Sequence, residues 1–311
     1  MNETVQITAN QVVVMFLLMA VGFVAVKTKL LSEQGCAQLN KILLYIVTPA
    51  VMLNSFNRDF EWETFGELGL CLLLYNIGSA IAVACAYICV RGKGENARAE
   101  RFATTFPNCG FMGIPLIQAA LGSEAVIFAS CGVMSFQIQS WTFGQLMLTG
   151  GGGSPKQIAK KAILNPGVIG SLMGITIFCM PFTLPGPIGS TVGHLANLNT
   201  PLAMVIVGSF VARADIKAAL KGFGVWKVTA LRLAIIPALS LPFYLLIRAP
   251  YQPAMAAFIM TCCPVGALVC TFCNMVGLHE GEKHGSALVS VSTLLSIASI
   301  PLMMLITPLF T

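Results

Sequence analysis

Charge is what this chain has least of. Asp, Glu, Lys and Arg together make up 10% of its 311 residues, while hydrophobic residues make up 56% and mean hydropathy is +0.82. A soluble domain carries about 25% charged residues, so this chain lacks the polar surface to face water on all sides. All twelve acidic residues fall in predicted loops or span ends: Glu3, Glu33, Asp59, Glu61, Glu63, Glu67, Glu95, Glu100, Glu124, Asp215, Glu280 and Glu282. Proton and sodium relays in membranes use embedded carboxylates, and none is apparent. The three histidines, His194, His279 and His284, lie near span ends. GxSxG, HExxH and phosphate-binding loops are absent, so no catalytic constellation and no cofactor is expected. Residues 1–11 contain no Lys or Arg. They lack the basic region of a cleavable signal peptide, so the first apolar run is expected to be retained.

The eleven cysteines sit mostly inside apolar runs, where Cys packs as a small apolar residue. Cys270 and Cys273 form a CxxC near Cys262 and Cys263, with no histidine nearby in sequence, and no metal is expected. The net charge of +6 is not a nucleic-acid signal, because its distribution follows a membrane topology. Spans of about 20 apolar residues cross a bilayer. Ten are expected, at 8–26, 37–56, 66–90, 101–121, 125–148, 162–183, 191–212, 225–247, 252–276 and 284–308. With the N-terminus outside, 16 of the 18 Lys and Arg residues fall on the inner side, leaving Arg58 and Arg248 outside. The positive-inside rule then gives a multi-pass protein of the plasma or inner membrane with both termini non-cytoplasmic.

The two halves are related by pattern. Thr48-Pro49-Ala50-Val51-Met52 in the second span matches Thr200-Pro201-Leu202-Ala203-Met204 in the seventh, and Pro107 in the fourth matches Pro264 in the ninth. Both offsets are near half the chain. Five spans per half place the second copy upside down, the inverted-repeat plan of secondary transporters. The expected fold is thus an all-α integral membrane protein of ten transmembrane helices, with broken helices 4 and 9 crossing. The first repeat covers 1–148 and the second 162–311. The linker at 149–161 contains four glycines, then Ser154 and Pro155, a flexible composition.

The stretch Phe106-Pro107-Asn108-Cys109-Gly110-Phe111-Met112-Gly113-Ile114-Pro115-Leu116 lies inside the fourth apolar run. Proline removes a backbone donor and clashes with the preceding turn. Broken backbone at membrane depth is tolerated only against protein or a wet cavity. A break after Pro107 and another after Pro264 would start two half-helices in mid-membrane, each with free N–H groups and a partial positive charge. Two such ends aimed at one point make an anion site without a cationic side chain. The candidate site is Pro107, Asn108, Cys109, Gly110, Pro264, Val265, Gly266 and Ala267. Gly110 and Gly266 would let a ligand approach the backbone. Asn108 either caps its half-helix or hydrogen-bonds a carboxylate. Thr48, Asn54, Gln137 and Arg232 are candidate vestibule residues. Arg232 would attract an anion or snorkel to the headgroups; Gln137, Gln139, Gln145 and Asn76 would line a path or bond neighbouring helices.

Pro107-Asn108 followed by Met112-Gly113-Ile114-Pro115-Leu116 resembles the fourth-span motif of the auxin efflux carrier family. Asn165-Pro166, Thr200 to Met204 with Gly208, and Pro264-Val265-Gly266 continuing to Phe272 resemble its sixth, seventh and ninth spans. The resemblance covers nearly the whole chain and, without a long central loop, is to compact prokaryotic members associated with malonate, malate or lactate-type substrates. It implies a fold similar to bile acid–sodium symporters and sodium–proton antiporters, and contact of Asn108 with a substrate carboxylate. It also implies a scaffold of spans 1, 2, 6 and 7, a transport domain of spans 3–5 and 8–10 moving as an elevator, and a homodimer. The expected function is secondary transport of small mono- or dicarboxylates, with the lipid bilayer and the organic anion as partners. The alternatives are sodium- or proton-coupled symport on the same fold, and a membrane receptor or sensor that binds without transporting.

Overall fold

The computed structural model describes residues 3–152, 160, 163–180 and 183–310. Most of the expected linker, 153–159 and 161, lies outside the described residues. The described chain is helical, and its only β-type pairing is one isolated antiparallel bridge between Pro107 and Val265. The longer helices are α1 (Glu3–Lys27), α2 (Glu33–Phe56), α3 (Trp62–Cys89), α4 (Glu95–Thr105), α5 (Cys109–Leu121), α6 (123–149), α7 (Pro166–Phe178), α8 (Gly186–Arg213), α9 (Phe223–Ile247), α10 (Tyr251–Cys262), α11 (Leu268–Met275) and α12 (His279–Phe310), with one further turn at Ile216–Ala219. Six of them, α1, α2, α3, α8, α9 and α12, are each long and apolar enough to cross a membrane; α5 and α7 are shorter apolar helices. Leu17, Val21, Tyr45, Ile88 and Leu246 are among many large apolar side chains left exposed. A water-facing surface of that kind would be costly, whereas lipid accepts it.

The breaks follow from proline chemistry. The residue before a proline is pushed out of the helical region. Phe106, before Pro107, has φ −105° and ψ 106°, and Cys263, before Pro264, has φ −63° and ψ 146°. Milder perturbations occur where the helix continues. Thr48, Ile114 and Ile236 each donate to the carbonyl five residues back and each immediately precedes a proline, Pro49, Pro115 and Pro237. A widened turn relieves the clash that the ring would make with the normal i−4 carbonyl.

Small residues set the packing. A Cβ on Gly22 of α1 would lie 2.1 Å from the Val205 carbonyl oxygen of α8, and one on Gly208 of α8 would lie 2.0 Å from that of Met19. These helices meet backbone to backbone, as membrane helices do where Gly permits it. Gly170 and Gly174 of α7 sit in the same way on Pro49 and Met52 of α2. A second bundle gathers α3, α9, α10 and α12 around α4 and α5.

Candidate functional site

The two proline breaks meet. Asn108 N–H donates to the Pro264 carbonyl at 2.8 Å, and Gly266 N–H donates to the Phe106 carbonyl at 3.0 Å. Val265 N–H donates to Ser292 Oγ on α12 at 3.1 Å. These three N–H groups at the breaks are thus bonded to the other break or to a buried serine, as low-dielectric surroundings favour. Helix α5 starts after one break and α11 after the other, so the first amides of both are brought together.

Asn108 is 3% exposed. Its side chain makes no cap bond to α5, and its Nδ2 has no hydrogen-bond partner among the described residues. An unbonded amide group in an apolar interior costs about 1–3 kcal/mol. Gln137 on α6 is buried as well, and its Oε1 also lacks a partner. Both residues line one cavity of only about 20 Å³, with Thr48, Gly110, Asn199, Gly266 and Ala267 among its other walls. That space holds about one water.

Larger cavities flank it. One of 290 Å³ lies at the end carrying Arg58 and Glu124 and includes Asn54, Gln118 and Thr200. Another of 630 Å³ lies toward Lys41, Arg213 and Glu282. The small cavity shares Val51, Ile114 and Asn199 with the first, and Leu44 and Gln137 with the second. Among the described residues, no acidic side chain lines the small cavity.

The expected site residues divide in two. Asn108, Gly110, Gly266 and Ala267 line the small cavity; Pro107, Cys109, Pro264 and Val265 are buried and build the wall behind it. Gly266 differs from expectation in what it admits. A Cβ there would lie 2.9 Å from the Pro107 carbonyl oxygen, so the glycine makes room for the other break rather than for a ligand. Around Gly110 the nearest atom to such a Cβ is a Val133 methyl at 3.9 Å, leaving that backbone approachable. Thr48 and Gln137 lie at the small cavity itself and Asn54 at the 290 Å³ one. Asn76 bonds instead to Ser135 and Gln139, within the bundle.

Arg232 is neither at a vestibule nor at a headgroup. It is 1% exposed and lines none of the described cavities. Its Nη1 donates to the carbonyls of Thr104 at 3.0 Å and Thr105 at 3.5 Å, its Nε to Cys263 at 3.3 Å, and its Nη2 to Thr261. The guanidinium thus closes the C-terminal ends of α4 and α10 together. Asn199, which the sequence reading passed over, is 4% exposed and donates from Nδ2 to the Gly110 carbonyl at 3.4 Å. Its signal was a buried-type amide adjoining the Thr200-Pro201 pair.

The family sequence pattern described as "Membrane transport protein" matches residues 7–304. A protein of Rhizobium meliloti named "Putative malonate transporter" is 22% identical over 277 residues, covering 84% of each chain. An "Uncharacterized transporter" of Methanothermobacter thermautotrophicus is 23% identical over 204 residues, 65% of this chain and 67% of its own. One of Methanocaldococcus jannaschii is 23% identical over 238 residues, 72% and 74%. With a match across almost its full length and a helical, lipid-compatible body, the chain is a multi-pass membrane protein belonging to the membrane transport protein family, that of the auxin efflux carriers.

Proposed function

We propose that the protein is a secondary carrier of small organic anions, mono- or dicarboxylates of the malonate type. The observation that carries this reading is the unpartnered, buried amide of Asn108 in a cavity free of acidic side chains, where α5 and α11 both begin. Partial positive charge and free N–H groups at two helix starts favour an anion, and the Asn108 amide supplies a neutral donor. The name of the Rhizobium relative points to the same chemistry.

In this reading the polypeptide makes ten spans as two inverted repeats, counting α4–α5 and α10–α11 as broken crossing spans. The paired α1–α8 and α2–α7 form a scaffold, and the remaining helices move past it as an elevator. The narrow cavity between two wider ones is the closed point that such a motion would expose to each side in turn. The one buried carboxylate among the described residues, Glu100, is already bonded to Lys227 and His284 and does not line the small cavity, so we take transport to be uncoupled. Moving one charge through 100 mV is worth about 2.3 kcal/mol, so an inside-negative potential drives anion export.

Malonate counterflow in proteoliposomes, with and without an imposed potential, tests this. Counterflow without added sodium and net flux that follows the potential are expected. Flux that needs sodium or a proton gradient would establish the coupled symporter instead. Binding without counterflow would make the protein a receptor.

A further inference from the structure

We propose that Arg232 is a specificity-determining charge of the anion site, setting the ligand at one negative charge although it never touches it. This rests on the carrier reading above. Arg remains protonated in proteins, and this one is 1% exposed with no acidic partner in any described ion pair. The titratable side chains facing it are Tyr75 of α3, Cys109 of α5, and Cys262 and Cys263 at the end of α10; it also acts on Cys85 of α3 and Tyr244 of α9. All are thiols or phenols, uncharged near neutral pH.

What holds the guanidinium is the carbonyl ends of two helices. Each helix end is equivalent to about half an elementary charge. The C-termini of α4 and α10 together offset about one positive charge, that of Arg232. The N-termini of α5 and α11, on the cavity side, then remain as about one positive charge with no protein counter-charge. A single negative charge on the ligand balances them. A dianion would leave about one negative charge uncompensated in a site lined by Val51, Phe111, Ile114 and Val133, which desolvation penalises. A dicarboxylic acid would therefore bind in its singly protonated form. The unpartnered Oε1 of Gln137 in the same cavity can accept that proton's hydrogen bond.

Only Phe106 and Pro107 separate Thr105, which Arg232 contacts, from Asn108, at most about 11 Å of extended chain between their Cα atoms. For a charge about 10 Å from the ligand, with an effective dielectric near 20, anion affinity changes roughly tenfold.

The experiment is binding of lactate and of malonate to purified full-length protein by calorimetry, from mildly acidic to mildly alkaline pH across malonate's second ionisation. Lactate stays a monoanion throughout and reports any titration of the protein. Expected is malonate affinity falling by about tenfold per pH unit above that ionisation relative to lactate. Malonate binding that holds or tightens relative to lactate would show that the dianion is the ligand and overturn the proposal. If neither acid binds folded protein, the carboxylate reading itself fails and the role of Arg232 falls with it. The variants add a second readout: Arg232→Gln should weaken lactate roughly tenfold while Arg232→Lys, which keeps the charge, retains affinity. Equal losses in two folded variants would reduce Arg232 to a structural cap. The wild-type pH comparison stands if neither variant folds.

Discussion

Replacing Asn108 by Ala should move stability and affinity in opposite directions. The backbone roles of Asn108 survive the change: its N–H still reaches the Pro264 carbonyl, and its carbonyl still accepts from Met112 and Gly113 at 3.0 and 3.3 Å. Its φ of −81° and ψ of 47° carry no positive-φ penalty for alanine. What disappears is an amide whose Nδ2 is buried with no partner. Such a group costs about 1–3 kcal/mol when left unbonded, partly offset by the small void that alanine leaves. The ligand-free variant should therefore be as stable as the parent or more stable by up to about 1 kcal/mol. Bound to a carboxylate, the same amide makes a charge-assisted hydrogen bond, and its loss should weaken binding by about 1–3 kcal/mol, roughly 5- to 150-fold. Thermal unfolding with and without malonate, together with calorimetry, measures both quantities on one preparation. Unchanged affinity would remove Asn108 from the binding site. A stability loss above about 2 kcal/mol would mean that the side chain holds the breaks together, against the absence of any cap bond.

Gly266→Ala should disrupt the pairing of the two breaks, since its Cβ would press on the Pro107 carbonyl oxygen at 2.9 Å; overpacking of this kind costs about 1–3 kcal/mol, read as a lowered unfolding temperature, whereas the roomier Gly110→Ala should cost less and chiefly affect binding. Glu100 is 8% exposed and bonded to both Lys227 at 2.9 Å and His284 at 3.0 Å, tying α4 to α9 and α12. Glu100→Gln should destabilise by about 1.5–3 kcal/mol, the worth of hydrogen bonds to a charged group, measured in the same unfolding assay. Arg58 and Glu124 pair at 2.8 Å beside the 290 Å³ cavity. Removing the acid in Glu124→Gln should leave stability nearly unchanged, as exposed pairs do, while raising the anion association rate at low salt; a rate independent of ionic strength would argue against entry by that route.

Much of the fold was legible because its causes are local. Proline acts on its own φ, on the residue before it and on the turn behind it, so the breaks near residues 107 and 264 could be placed from sequence alone. Long apolar runs gave α1, α2, α3, α8, α9 and α12 to within a few residues. The fourth and ninth runs hid more. Helix α4 begins at Glu95, ahead of the apolar run, because one side of the polar stretch 95–101, with Ala99 and Glu100 buried, packs on α12 and α9.

The partnerships were not legible. That Gly266 yields to Pro107 rather than to a ligand depends on how closely two backbones cross, and that distance is set by residues more than 150 positions apart. Asn199 entered the site because α8 brings its middle against Gly110.

Composition by itself determined that this chain lives in lipid, since 10% charge cannot cover a water-facing surface. Two prolines by themselves determined where its helices fail. Only the tertiary structure decided what the failures are for. It joined the breaks through two backbone hydrogen bonds, left the Asn108 amide unpaired between them, and drew Arg232 away from the headgroups to the carbonyl ends of α4 and α10. The physical reason is that a charge's place in a membrane protein is fixed by which dipoles surround it, and those dipoles come from helices distant in sequence.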